Sequence, residues 1–227
     1  MNEKKLSADF EVNKSMLDDH FRIGTSFDLV SREKSFGGLN AKLYFIDSFV
    51  SSDILERLLI FLAGLSEKGG ITPADASRFA AECIPYAEVM ITDSIEEISY
   101  FVMSGTLCML IDSLGKEALI IDARRYPTRS VGEPDNDKVL RGARDGFIES
   151  VKPNVCMIRR RIRDPKFTAE RITVGKKSKT DIAFCYIEGT ADSKYVETLR
   201  GKLKSLDVDA LTLEQIIRAA LKNMVKN

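Results

Sequence analysis

The densest group of chemically capable residues in this sequence lies between residues 141 and 147. It contains Arg141, Arg144 and Asp145, with two glycines among them. Arginine forks bind carboxylate or phosphate groups, and a glycine beside a helix start lets main-chain N–H groups approach an anion. The same residue types also form ordinary turns, in which Asp145 caps a helix through Phe147 and the arginines pair with local carboxylates. The sequence favours this structural interpretation, with an anion site as the alternative.

A second basic group follows at the C-terminal end of a predicted helix, where the helix dipole favours cations. It consists of Arg159, Arg160, Arg161 and Arg163. The segment 138–179 around it holds 13 Lys/Arg and 4 Asp/Glu, a local net charge of +9 in a chain whose formal net charge is zero. A solvated face is the ordinary explanation of such a segment. A contact surface for acidic protein, lipid headgroups or RNA is the alternative.

Binding of single-stranded nucleic acid requires exposed aromatic side chains interleaved with the positive charges. The aromatic residues nearest to the basic group are Phe147 and Phe167, and their apolar neighbours indicate that both are buried. We therefore predict no nucleic-acid partner.

The residue types on which most enzymes depend are scarce. His20 is the single histidine, and the chain contains no GxSxG, no GxxxxGKS/T and no GxGxxG motif. The four cysteines lie far apart and form no CxxC pair, so neither a zinc site nor a redox motif is predicted. We predict that the protein is not an enzyme and has no catalytic residue, no metal and no cofactor. A carboxylate-dependent hydrolase stays open as an alternative, because spacing alone does not define acid pairs.

The elements that must position these residues predict a mixed α/β (α+β) fold. Residues 43–46 are apolar without interruption, which is typical of a strand covered on both faces. Helices are expected over 7–24, from 54 to the glycines at 69–70, and over 72–83, 95–103, 147–162, 193–206 and 211–225. Strands are expected over 26–36, 41–50, 88–92, 107–112, 117–123, 167–174 and 181–187. Pro153 lies inside one predicted helix, where we expect a kink or two consecutive helices.

The predicted domains are two small subdomains, each a sheet with packed helices. A helical segment at 1–25 precedes the first subdomain at 26–125. Residues 126–137 hold two prolines and a glycine among polar residues and are predicted to be a linker to the second subdomain at 138–227. The longest apolar run, 58–65, is shorter than the roughly 20 residues that span a bilayer, so we expect the chain as given to be soluble.

Several ordered blocks resemble the signature of the spore germinant receptor A-subunit (GerA) family. They are EPD at 133–135, VLRGARDGFIE at 139–149, MIRRRIRDP at 157–165, SKTDI at 178–182 and YIEG at 186–189. The resemblance covers roughly residues 10–215 and is dense from 133 to 210. It departs from the family pattern at Lys152 and Pro153, inside the helix of the signature, and is weak over 71–125.

The resemblance implies the cytoplasmic N-terminal domain of a protein of the spore inner membrane, whose multi-helix membrane half is absent here. It further implies a non-enzymatic role in assembly or signal coupling during germination. The implied partners are other germination and sporulation membrane proteins and the protein's own membrane half, with a homo-oligomer in the full-length protein. The candidate interaction residues are Arg141, Arg144, Asp145, Arg159, Arg160, Arg161 and Arg163. The alternative is a sensor domain that holds a germinant-like amino acid or sugar between the subdomains.

Overall fold

The computed structural model describes residues 4–67, 75–84, 87–125, 147–148, 150–206 and 209. The α-helices are α1 (Phe10–Phe21), α2 (Ser52–Glu67), α3 (Ala76–Cys83), α4 (Ile95–Met103), α5 (Val151–Arg161) and α6 (Ser193–Lys204). The strands are β1 (Leu29–Phe36), β2 (Leu39–Ile46), β3 (Val89–Thr92), β4 (Leu107–Ile111), β5 (Ala118–Ile121), β6 (Phe167–Val174) and β7 (Thr180–Ile187). The predicted mixed α/β fold is confirmed.

Contacts within the chain define two compact units. Unit 1 consists of Met1–Ile23 and Asp28–Pro165, and unit 2 consists of Gly24–Phe27 and Lys166–Asn227. The chain therefore passes between the units three times, at residues 23–24, 27–28 and 165–166. The linker predicted at 126–137 lies outside the described residues, so that boundary stays a prediction.

Unit 1 is built on a five-stranded sheet in the order β1-β2-β4-β5-β3, and all neighbouring strands are antiparallel. Side chains of one strand alternate between two cores. In β2, Leu43 and Phe45 point to a core completed by α2 and α3, whereas Tyr44 and Ile46 point to a core completed by α1 and α4. Helices therefore cover both faces of the sheet, which confirms the interpretation of the uninterrupted apolar run at 43–46.

The helix starts follow from capping side chains that satisfy the first free N–H groups. Asp9 accepts hydrogen bonds from the first turn of α1, Asp75 from α3, Ser94 from α4 and Asp192 from α6. The tight connection between α4 and β4 uses Gly105 at φ +99°, where a Cβ atom would lie 3.0 Å from Phe49. These local signals fix where the helices begin relative to the sheet.

Unit 2 contains the β6–β7 hairpin and α6. The short segment Gly24–Phe27 joins this unit through β6, because the Phe27 N–H donates to the Ala169 carbonyl at 3.0 Å and the Ala169 N–H donates to Ser26 Oγ at 2.9 Å. Helix α6 is tied to the hairpin by Arg200, whose Nε donates to a Glu170 oxygen at 2.7 Å. The nearby Arg200 guanidinium lowers the pKa of the Glu170 carboxyl.

One predicted helix differs from the observed one. The helix expected over 147–162 begins at Val151, and Pro153 is its third residue. The first-turn N–H groups of a helix have no partner within the helix, so the missing N–H of Pro153 breaks no hydrogen bond and the expected kink does not form. The helix predicted at 211–225 lies outside the described residues. Within the described ranges, no helix is both long enough and apolar enough to cross a membrane.

His20 provides a test of the packing around α1. Its Nε2 atom is buried without a hydrogen-bond partner among the described residues, and burial lowers the pKa of the imidazole. The folded state therefore binds fewer protons than the unfolded chain once the pH falls below about 6.5, the ordinary pKa of histidine. The unfolding free energy of the wild-type chain should therefore fall as the pH is lowered from about 7 to 5.5. We expect a smaller fall for His20→Gln, measured by urea denaturation at each pH. Parallel pH curves for both proteins would contradict this prediction.

Candidate interaction surface

Helix α5 presents two different faces. Val155 and Cys156 are buried, and Cys156 belongs to the core that α1 and α4 complete. The Cys156 thiol lies 3.8 Å from the Ser48 carbonyl, and burial raises its pKa to about 11. Cys156 is therefore a protonated packing residue at neutral pH rather than a nucleophile.

The start of α5 is fixed by an unusual contact. Ser150 occupies the N-cap position, but its side chain makes no capping hydrogen bond. Instead, Asn154 binds the main chain of Ile148: its Oδ1 accepts from the Ile148 N–H at 2.8 Å, and its Nδ2 donates to the Ile148 carbonyl at 2.6 Å. This pair of bonds holds the segment that precedes the helix against its first turn.

The largest fully buried side chain described is that of Arg159. Its Nε donates to Asp28 Oδ2 at 2.8 Å and its Nη2 to Asp28 Oδ1 at 3.0 Å, which makes a bidentate ion pair. Arg159 is 0% exposed and Asp28 is 2% exposed. The remaining Nη1 donates to the main-chain carbonyl of Asp164 at 3.0 Å.

The position of Arg159 corrects one expectation from the sequence. The sequence predicts that Arg159 belongs to a contact surface with its neighbours, but its guanidinium lies in the interior of unit 1. The physical reason is helical spacing, because Arg159 follows Val155 by four residues and therefore lies on the same buried face of α5. Arg159 has a structural role within unit 1.

Three other arginines of the predicted group are exposed, namely Arg160, Arg161 and Arg163. We call these three residues the α5 basic surface. Arg163 Nη1 also donates to Ser104 Oγ at 3.3 Å, which connects this surface to the C-terminal end of α4. The predicted residues Arg141, Arg144 and Asp145 lie outside the described residues.

An apolar groove of about 200 Å³ lies beside the α5 basic surface. It is lined by Phe147, Met157, Ile158, Arg161 and Ile162. The Phe147 side chain is 70% exposed, so the expectation that it is buried was wrong, whereas Phe167 is buried as expected. The difference follows from the later helix start, which places Phe147 before α5 rather than on its apolar stripe.

A second cavity, of about 460 Å³, lies within unit 1 between α2 and the β1–β2 hairpin. Its apolar wall includes Phe45, Leu55 and Leu59, and its polar residues include Arg32 and Glu56. The Arg32 guanidinium lies 5.6 Å from the centre of the Phe45 ring. We call this cavity the α2–β1 cleft.

The described residues show no group of three or more His, Cys, Asp or Glu side chains that could hold a metal ion. Cys108, a buried thiol on β4, also has a raised pKa because of burial.

Comparison with known proteins shows to which protein family this chain belongs. The family model described as Bacillus/Clostridium GerA spore germination protein matches residues 16–226. The chain belongs to the GerA family. The resemblance that the sequence motifs indicated is confirmed.

Curated GerA-family relatives include stage V sporulation protein AF of Bacillus subtilis, which is 33% identical over 88% of this chain and 40% of that protein. Spore germination protein B1 of the same organism is 29% identical over 84% of this chain and 43% of that protein. The chain thus spans about two fifths of the length of these relatives.

The crystal structure of the N-terminal domain of the A subunit of the Bacillus megaterium spore germinant receptor GerK3 has the same fold. The two structures superpose with a TM-score of 0.71 at 22% sequence identity, over 96% of this chain and 81% of the other. At this level of identity the likeness concerns the fold, and it supports the mixed α/β architecture described above.

The buried Arg159–Asp28 pair generates a stability prediction. Removing one partner leaves an uncompensated buried charge, so we expect Asp28→Ala and Arg159→Met each to cost about 3–5 kcal/mol of unfolding free energy. The double variant should lose clearly less than the sum, because the two residues act as one unit. Urea denaturation measures all three variants, with Arg163→Met at the exposed surface as the control expected to cost below about 1 kcal/mol. Additive losses would show that the pair is not coupled.

Proposed function

We propose that this chain is the cytoplasmic N-terminal domain of a spore inner-membrane germination protein and that it acts without catalysis in assembly or signal coupling. Its partners are other germination and sporulation membrane proteins and a membrane half of its own protein. Membership of the GerA family supports the setting in germination. The residues proposed to contact these partners are Arg160, Arg161 and Arg163. Arg141, Arg144 and Asp145 are further candidates.

The observation that carries this proposal is the double role of α5. On its buried face, one guanidinium binds Asp28 and the carbonyl of Asp164. Asp28 is the first residue of unit 1 after the Gly24–Phe27 segment, and Asp164 is followed by Pro165, the last residue of unit 1. Arg159 therefore binds unit 1 residues at two of the three chain crossings, those at 27–28 and 165–166.

On its other face, the same helix exposes the α5 basic surface. A partner that binds these arginines acts directly on α5, and any displacement of α5 strains the bonds that Arg159 makes to Asp28 and Asp164. Close-packed interiors transmit such displacements as shifts of whole elements rather than absorbing them locally. This arrangement supports a domain in which a contact at the surface is coupled to the internal packing of unit 1.

The exposed arginines give a direct test in a spore-forming host. The whole protein carrying Arg160→Glu and Arg163→Glu should fold, because exposed charges rarely contribute more than about 1 kcal/mol to stability. We expect this variant to lose co-purification with its partner proteins and to slow germination, measured as the loss of optical density of a spore suspension.

The matched control is Arg57→Glu, an exposed charge reversal on α2, which packs against the opposite face of the sheet. It should leave both measurements unchanged. Normal germination and normal co-purification of the Arg160→Glu, Arg163→Glu variant, in spores shown to contain the protein, would contradict the proposal.

The α2–β1 cleft favours a second candidate function, a sensor for a germinant-like amino acid. Its volume of about 460 Å³ falls within the roughly 300–1,000 Å³ of small-molecule pockets. The cleft combines an apolar wall with one guanidinium, Arg32, and the carboxylates of Asp47 and Glu56. Asp47 is engaged by Lys152 Nζ at 2.8 Å, so Glu56 is the carboxylate placed to receive an ammonium group. Unlike the site expected between subdomains, this cleft lies within unit 1.

Titration of the chain with apolar amino acids, followed by NMR, tests the sensor role. A ligand in the cleft should shift the signals of α2 and β1 residues in a saturable way, and Arg32→Ala should weaken binding about tenfold or more, because a charge-assisted hydrogen bond to the ligand carboxylate is lost. Arg57→Ala on the same helix α2 as Glu56 serves as the control. An absence of saturable shifts would exclude the sensor role for this cleft.

A further inference from the structure

Strand β3 forms one end of the five-stranded sheet. Its inner edge pairs with β5, and just before β3 the Asp122 N–H donates to the Glu88 carbonyl at 2.9 Å. Main-chain groups alternate in direction along an antiparallel strand, so those of Val89 and Ile91 point away from β5. Among the residues that the structure describes, no strand pairs with them. The outer edge of β3 therefore presents main-chain donors and acceptors that a further strand can bind.

The residues that directly follow β3 show how the chain satisfies such groups elsewhere. The Leu6 N–H donates to the Asp93 carbonyl at 2.8 Å. The Ile95 N–H donates to the Lys4 carbonyl at 3.0 Å, and the two segments form an antiparallel bridge. An extended segment thus pairs with the chain just beyond β3, whereas the described ranges supply no such partner to the outer edge of β3 itself.

An open apolar groove of about 520 Å³ lies between α3 and β3. Val89 and Ile91 form its β3 wall, and Ala80 and Ala81 line it from α3. Side chains along a strand alternate between the two faces of the sheet. A strand added beside β3 therefore places every second side chain in this groove, and the short alanine side chains leave room for apolar residues of moderate size.

The charges around the groove are mainly acidic. The described residues of α3, its cap and the start of β3 include four charged side chains, of which Asp75, Glu82 and Glu88 are acidic and Arg78 is basic. All four are exposed, and Arg78 Nε is paired with Glu82 at 2.7 Å. Charge complementarity therefore favours a basic residue in the occupant, at the end that Glu88 marks.

We propose that the outer edge of β3 binds an extended segment of a partner protein as an antiparallel sixth strand. Every neighbouring pair in the sheet is antiparallel, which favours that direction. The main-chain groups of Val89 and Ile91 hold the segment, and the groove selects its side chains. From its N-terminus the segment carries an apolar residue opposite Ile91, any residue opposite Met90, an apolar residue opposite Val89 and a Lys or Arg opposite Glu88. This site is separate from the α5 basic surface.

A fluorescein-labelled peptide of sequence Gly-Thr-Val-Thr-Val-Lys-Thr-Gly, titrated with the 227-residue chain and followed by fluorescence anisotropy, tests the proposal. We expect saturable binding. Val89→Pro should weaken it about tenfold or more, because proline lacks the N–H that faces the peptide. Proline is tolerated there, since Val89 is the first residue of an edge strand. Val89→Thr keeps the N–H and the branched shape and is the matched control, expected to retain most of the binding.

Two N-methylated peptides separate strand addition from simple apolar contact. In the proposed register the valine N–H groups face β3, and the N–H of the threonine between them faces away. Methylation of the second valine nitrogen should weaken binding about tenfold or more, whereas methylation of that threonine nitrogen should leave it nearly unchanged. Equal effects of the two methyl groups would overturn the inference, because the main chain of the peptide would then make no directed contact.

The basic position of the peptide has its own test. Glu88→Lys should weaken binding of the lysine peptide and strengthen binding of a peptide with glutamate at that position. Ala81→Trp fills the groove without altering β3, so it should abolish binding even where Val89→Pro proves unfolded by thermal melting. A wild-type chain that shows no saturable binding, or a folded Ala81→Trp variant that binds as the wild type does, would also overturn the inference.

Discussion

The burial of one guanidinium constrains much of unit 1. A charged group taken out of water is tolerated only when its charge is matched and its N–H groups are satisfied, and Arg159 meets both conditions through Asp28 and the carbonyl of Asp164. Asp28 begins the second segment of unit 1 and lies 131 residues before Arg159, and Asp164 lies five residues after Arg159, next to the end of that segment. Helix α5 can therefore occupy its site only when both chain segments are in place.

The five-stranded sheet makes that constraint effective. Helices α2 and α3 cover one face of the sheet, and α1 and α4 cover the other. The side chains of β2 are therefore packed on both faces of the sheet. Cys156 fixes α5 to the same core as α1 and α4, one turn before Arg159. The polar pair and the apolar core thus specify one position for the helix, while Arg160 and Arg161 on its other side are exposed.

Most elements could be predicted from the sequence because their signals are local. Capping residues such as Asp75 and Ser94 mark helix starts, and uninterrupted apolar runs indicate buried strands. The burial of Arg159 could not be found in this way, since its partner is distant in sequence. Two signals did point to it: its spacing of four from Val155, and Asp28 as the one charged residue in the segment 24–31. The exposure of Phe147 was missed because the apolar stripe was extended past the true start of α5.

The contact between Asn154 and Ile148 has a consequence for recognition. A loop that must become ordered when a partner arrives loses conformational entropy, which weakens the complex. Here the side-chain amide already occupies the hydrogen-bonding groups of Ile148 as a neighbouring strand would, and Phe147 is held beside it. A partner that contacted this place would therefore meet a backbone that is already ordered in the folded chain, and its binding would carry little further loss of backbone conformational entropy.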